Sequence, residues 1–219
     1  MEIHIFEEDE IMEPLIITIA RETGSGGTSI AKKLSEAYGI PYYDRELITM
    51  ASDISGISEN LFGLNDERVG WKAIFSSAKK VYTGEILPPD SDDFISTRNL
   101  FSFQAKVIRD LVKTESCIII GRCANYLLKD NPNVIRLFIC ADEEYKFNHL
   151  KEMHMAETAA GIAKYMQKED KRRSAYYHYY TGEEWRDVAG YDLCLDTSRY
   201  GIDGCAEIVK HMIPIIKSK

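Results

Sequence analysis

The stretch that most limits how this chain can fold runs from Leu15 into the helix pattern that ends at Tyr38. Leu15-Ile-Ile-Thr-Ile-Ala20 is a short apolar run that reads as a buried strand. It passes into Arg21-Glu-Thr-Gly-Ser-Gly-Gly-Thr28, and Ile30, Ala31, Leu34, Ala37 and Tyr38 then fall on one face at helical spacing. Gly39 tolerates the left-handed backbone that ends helices, and Pro41 prevents the helix from resuming. Strand, glycine turn and helix in this order make a cradle for anions. Glycines let backbone N–H groups turn inward, and the helix N-terminus adds partial positive charge. The alternative at this point is a glycine-rich turn that holds no ligand.

A phosphate-binding loop of the usual kind reads G-x-x-x-x-G-K-[ST]. On this chain Arg21 takes the first glycine position and Gly26 the second. Gly27 stands where the lysine belongs, and Thr28 stands at the Ser/Thr that reaches Mg²⁺.

At 219 residues the chain is one domain, or one domain with a sizeable insertion. A hydrophobic share of 45% fits a globular protein with a core and argues against disorder. No apolar run approaches the roughly 20 residues of a membrane span, so no membrane partner is expected. Residues 1–13 are acidic, lack the basic start of a secretion signal and read as an N-terminal arm; the cytoplasm is the expected compartment. The five cysteines are odd in number and none share C-x-x-C spacing, which indicates neither a zinc site nor a disulfide framework. Cys117, Cys140 and Cys194 lie in or beside apolar runs and are expected to be small buried hydrophobes. A net charge of −8 disfavours a nucleic-acid polymer as partner. Lys168, Lys171, Arg172 and Arg173 nevertheless cluster, as suits a small anionic ligand or, more blandly, a solvated helix face.

Further strands are expected at 40–43, 117–120, 134–140 and 191–196. Helices are expected to open over Glu46 to Ser52 and to run over 94–113, 124–129 and 143–154, from a Thr158 cap to about Tyr180, and over Ile202 to Ile216. Residues 53–93 are irregular, broken by glycines and by the loop Leu87-Pro-Pro-Asp-Ser-Asp-Asp93, with helical spacing from Val69 to Val81. Tyr176 to Tyr180 read as helix packing rather than a base-stacking platform. Five apolar strands alternating with helices make an α/β fold with a parallel sheet. Ligands of such sheets lie at the carboxyl ends of the strands. Three of those ends carry anion-binding chemistry: the glycine loop, Asp44-Arg45 and Gly121-Arg122.

Taken together these residues resemble the cytidylate kinase-like family of nucleoside monophosphate kinases. The resemblance runs from about Ile16 to Ile213. It rests on Ile17 to Gly27, Pro41-Tyr-Tyr-Asp-Arg-Glu-Leu47, Ile118-Ile-Ile-Gly-Arg-Cys123, Asp170-Lys-Arg-Arg173 and Tyr191-Asp-Leu-Cys-Leu-Asp-Thr197. It implies a P-loop NTPase fold: a single domain over 14–219, with a five-stranded parallel sheet flanked by helices, an acceptor-binding insertion over 53–104 and a helical lid over 157–185. It implies ATP and Mg²⁺ as cofactors and small-molecule nucleotides as partners. The implied reaction moves the γ-phosphoryl group of ATP to CMP, dCMP or a related monophosphate.

By position, the resemblance places Gly24, Ser25, Gly26 and Gly27 around the donor phosphates, with Thr28 as the Mg²⁺ ligand and Ser29 as a further phosphate candidate. Asp44, Arg45, Arg98 and Arg122 fall to the acceptor. Arg122, Arg172 and Arg173 fall to the transferring phosphoryl group, with Asp170 orienting the lid. The chain departs from the pattern in three places. Gly27 replaces the lysine, for which Arg21 is a candidate substitute. Cys123 replaces an aspartate, and Arg45 adjoins Asp44 instead of following a turn later. Two other readings stay open: a nucleotide-binding regulator without turnover, and a kinase of a non-nucleotide metabolite.

Overall fold

Apolar runs separated by amphipathic stretches fold as their periods dictate. A computed structural model describes residues 14–64, 82–156 and 158–217. The expected arm, the Val69–Val81 helix and the first residue of the expected lid lie outside these. The strands are β1 (Ile16–Arg21), β2 (Tyr42–Tyr43), β3 (Cys117–Ile120), β4 (Val134–Cys140) and β5 (Leu193–Asp196). They form one sheet in the order β2-β3-β1-β4-β5, and every pairing is parallel.

The principal helices are α1 (Gly27–Tyr38), α2 (Glu46–Ser55), α3 (Thr97–Thr114), α4 (Ala124–Leu127), α5 (Glu143–Glu152), α6 (Ala159–Thr181) and α7 (Thr197–Lys217). Side-chain caps fix three of the starts: Ser96 for α3, Asp142 for α5 and Thr158 for α6. The Ser96 cap is why α3 begins at Thr97 and not at the expected Phe94. None of the helices is long and apolar enough to cross a membrane, among the described residues.

Strand alternation divides the core in two. Ile17 and Ile19 join Ile30, Ala31 and Leu34 of α1 and Cys205, Val209 and Ile213 of α7 on one face. Ile16 and Ala20 join α2, α3, α4 and the tyrosines of α6 on the other. There Tyr180 stacks on Phe101 at 3.8 Å with the rings 9° apart, so the aromatic run of α6 is helix packing. A parallel sheet covered on both faces, with the glycine loop at the carboxyl end of its central strand, is the expected P-loop NTPase fold.

Two local expectations are corrected. Cys194 is exposed and Cys140 only partly buried; β5 is an edge strand, so its outward residues have no helix over them. β1 extends one residue further than the apolar run, because Arg21 keeps the register with Ile139 of β4.

Candidate functional site

Because β2, β3 and β1 are neighbours, the three polar strand ends meet at one edge of the sheet. The glycine loop occupies the end of β1. Gly24 and Gly26 have φ of +86° and +79°, the left-handed region that only glycine adopts without strain. Ser25 is buried, and its backbone N–H and its hydroxyl both donate to the Glu22 carbonyl. Gly26 caps α1, whose first residue is Gly27. Thr28 is exposed on that first turn, and Ser29 beside it is half-buried.

The rest of the protein holds this loop tightly. His149 of α5 donates to the Gly24 carbonyl at 2.8 Å. The Thr197 hydroxyl lies 2.8 Å from the Ser25 carbonyl. Lys146, with 4% of its side chain exposed, bonds Glu22 at 3.1 Å and also Glu143. Burial alone would lower the Lys146 pKa, but the bonds to Glu143 and Glu22 hold it above the ordinary lysine value. Arg186 reaches Glu22 from the other side at 2.7 Å.

From α6, Asp170 accepts hydrogen bonds from the Thr23 N–H and hydroxyl, both at 2.7 Å. Arg173 donates to the Arg21 carbonyl and the Thr23 hydroxyl, both at 3.0 Å. Asp170 and Arg173 therefore fasten α6 directly to the glycine loop. Lys146, His149 and Arg186 are absent from the sequence reading, and Glu22, Thr23 and Thr197 stand there only inside quoted motifs, with no role of their own. Only the one-turn spacing of Lys146 and His149 on α5 hinted that both face the same neighbour.

Beside the loop lies a cavity of about 300 Å³ lined by Arg21, Asp44, Arg45, Arg122, Arg172 and Arg173, with Tyr165, Tyr176, Tyr177 and Trp185 among its walls. Arg45, Arg122 and Arg172 also border a wider cleft of about 980 Å³ that runs along α2 to Leu64. The guanidinium of Arg21 meets Asp44 at 3.2 Å, and Arg172 pairs with Glu169 at 2.9 Å. Burial, then the Arg173 charge, brings the Arg21 pKa down to about 10 despite Asp44, with Arg122 and Arg172 adding to the effect. Arg21 is thus still a cation at neutral pH, with the charges of Arg173, Arg122 and Arg172 close enough to repel its own. An anion in the cavity would relieve that repulsion.

Gly121, Arg122 and Cys123 are left-handed in succession, with φ of +71°, +55° and +55°. Two consecutive side-chain-bearing residues in that region store strain of about 1–2 kcal/mol each. The turn puts Arg122 on the cavity wall. Cys123 is buried beneath it, and burial pushes its thiol pKa far up, which leaves it a neutral, unreactive group.

Of the residues singled out in the sequence, Arg21, Asp44, Arg45, Arg122, Arg172 and Arg173 share the cavity. Gly24, Ser25, Gly26, Gly27, Thr28 and Ser29 form the loop and helix start, with Asp170 bridging to it. Arg98 is elsewhere: on the first turn of α3 it bonds the Thr83 hydroxyl and lies 3.6 Å from Glu85. Among the described residues no three acidic, histidine or cysteine side chains gather as a metal cage. An exposed hydroxyl such as that of Thr28 fits the way Mg²⁺ is usually held, by one or two protein oxygens with phosphate oxygens and water.

Residues 16–199 match the cytidylate kinase-like family. A cytidylate kinase of Pyrococcus horikoshii is 23% identical over 209 residues, covering 93% of this chain and 92% of its own. The solved structure of an uncharacterized protein from Eubacterium ventriosum is similar with a TM-score of 0.66 and 29% identity, over 91% of this chain and 98% of that one. Shikimate kinase from Bacteroides thetaiotaomicron has the same fold, with a TM-score of 0.50 at 11% identity over 91% of this chain and 98% of that one. With its glycine loop, its cavity of arginines and a family match across most of its length, the chain belongs to the cytidylate kinase-like family, and its relatives support a kinase of nucleotides or small molecules.

Proposed function

We propose that this protein transfers the γ-phosphoryl group of ATP, with Mg²⁺, to a nucleoside monophosphate, CMP or dCMP before others. The observation that carries the reading is the convergence of Arg21, Arg122, Arg172 and Arg173 on one cavity directly beside the glycine loop. Phosphoryl transfer asks the protein for positioning and charge stabilisation more than for covalent chemistry. Planar guanidinium groups suit it, since they bind phosphate oxygens in pairs and stay charged. The loop N–H groups and the start of α1 hold the donor phosphates. The Thr28 hydroxyl would hold Mg²⁺, which would supply neutralising charge for the transfer. Arg122 holds the acceptor phosphate, and Arg172 and Arg173 bring charge to the phosphoryl group in transit. Asp44, at the end of β2, faces the acceptor's sugar or base. The cleft along α2 gives a nucleoside room beyond its phosphate.

The test is ADP formation from ATP and Mg²⁺ against a panel of nucleoside monophosphates, with Arg122→Ala in parallel. Turnover on CMP or dCMP that falls at least a hundredfold in the variant supports the reading. Turnover only on a non-nucleotide acceptor replaces the substrate and keeps the chemistry. ATP binding with no turnover on any acceptor replaces the enzyme with a nucleotide-binding regulator.

A further inference from the structure

Gly24 and Gly26 are explained by their backbone, since both are left-handed. Gly27 is not. It is the first residue of α1 and has no positive φ, so its backbone accepts any residue. The reason for glycine there is space. A Cβ built on Gly27 would lie 2.6 Å from the Cβ of Arg21 and 2.9 Å from its Cγ. Atoms cannot approach so closely, so no side chain at 27 coexists with Arg21 in its observed course.

The course of Arg21 is set by the sheet. It is the last residue of β1, and alternation puts it on the face of Ile17 and Ile19, which α1 covers. Its stem crosses Gly27, and its head passes Gly121, where a Cβ would lie 2.6 Å from Nη1. It ends at Asp44 with 16% of the side chain exposed. Gly27 therefore clears the path for one arginine from the root of the loop into the cavity, and Gly121, a glycine by its own left-handed backbone, leaves room for the arginine's head.

We propose that Arg21 is the phosphate-binding cation of this loop, running through the volume that a lysine at position 27 would otherwise occupy, so that R-x-x-x-x-G-G-T carries its charge at the opposite end from G-x-x-x-x-G-K-T. Arg21 and Gly27 form one unit: the arginine needs the glycine for passage, and the glycine is tolerated because the arginine supplies the charge. A planar fork replaces a point charge, which favours two phosphate oxygens at once over a single one. The crowding of Arg21 by Arg173, Arg122 and Arg172 gives the bound phosphoryl group a repulsion to relieve.

The inference rests on the kinase reading, and its test separates the two. Affinities of the full chain for MgATP and for inorganic tripolyphosphate are measured by titration in wild type, Arg21→Gln, Arg21→Gly, Asp44→Asn and the transposed pair Arg21→Gly with Gly27→Lys. Thermal midpoints without ligand report folding. Arg21→Gln keeps the stem and removes the charge, and it is expected to weaken both ligands at least tenfold. Asp44→Asn is expected to hold both within threefold of wild type, and the transposed pair to recover most of what Arg21→Gly alone loses. If Arg21 serves only to hold Asp44, Asp44→Asn reproduces the loss, and the inference falls while the kinase reading stands. Arg21→Gln binding within twofold of wild type overturns it in the same way. A wild-type protein that binds neither ligand overturns both. Should the transposed pair fail to fold, the Gln and Asn variants alone decide.

Discussion

The glycine loop and the arginine cavity share one end of the sheet and are built on opposite lines. The loop is fastened by hydrogen bonds from α5, α6, α7 and Arg186, and its buried charges, Glu22 and Lys146, are paired. The cavity wall carries left-handed Arg122 and Cys123 and crowded guanidinium groups. One region is stabilised by its contacts, and the other stores strain and repulsion. A phosphate cradle must hold its N–H groups in place before the ligand arrives, so rigidity belongs there. A cavity that takes up a doubly charged group gains from guanidinium groups that the fold has already brought together. Substitutions should therefore separate the regions: those at the loop lower stability, and those at the cavity lower activity with stability held or raised.

The largest loss of stability is expected from Gly24→Ala. Its Cβ would meet the Lys146 carbonyl at 2.8 Å on a left-handed backbone. Left-handed strain of about 1–2 kcal/mol and overpacking of about 1–3 kcal/mol together point to a loss of about 3 kcal/mol in chemical denaturation. A loss below about 1 kcal/mol would show that the loop moves away from α5 without difficulty. Lys146→Met comes next. It leaves the buried Glu22 with Arg186 as its remaining cation, and a broken buried pair usually costs about 3–5 kcal/mol. The surviving partner brings the expectation down to about 2 kcal/mol. The deficit should depend on pH. The folded-state pKa of Lys146 is raised, so its contribution is full below the ordinary value of 10.5 and fades as pH rises through the folded value. Wild type and variant should converge in strongly alkaline buffer. A constant gap would mean that packing, and not charge, is lost.

The cavity gives the opposite sign. Arg122→Gly removes a left-handed side chain and is expected to raise stability by about 1 kcal/mol while abolishing turnover. A variant less stable than wild type would mean that the Arg122 side chain supports the fold through its contacts, and the contrast between the two regions would weaken.

How far the sequence revealed these regions follows the range of the forces involved. The strands, the glycine loop and most helix boundaries were legible, because apolar period, caps and left-handed glycines act within a few residues. The gathering of Arg21, Asp44 and Arg122 was legible too, because polar strand ends of a parallel sheet share one edge. What escaped was the fastening of the loop. The bond from Asp170 to Thr23 spans 147 positions and that from Lys146 to Glu22 spans 124, and no local pattern marks such partners. The reason for Gly27 escaped as well, since a glycine kept for a neighbour's passage looks the same in sequence as one kept for its backbone. Cys194 misled because an apolar run does not tell an edge strand from a central one.

Arg98 tests the boundary of the cavity and carries the smallest expected effect. The sequence grouped it with the acceptor residues, but the structure pairs it with Thr83 and Glu85 at the start of α3. Its side chain is 41% exposed and that of Glu85 64% exposed. Exposed pairs of this kind contribute roughly 0–1 kcal/mol. Arg98→Ala should therefore change stability by less than about 0.5 kcal/mol and leave turnover and the acceptor KM within twofold. A tenfold rise in that KM with kcat unchanged would mean that Arg98 swings to the acceptor when it binds, and the acceptor site would then extend from the sheet edge to the start of α3.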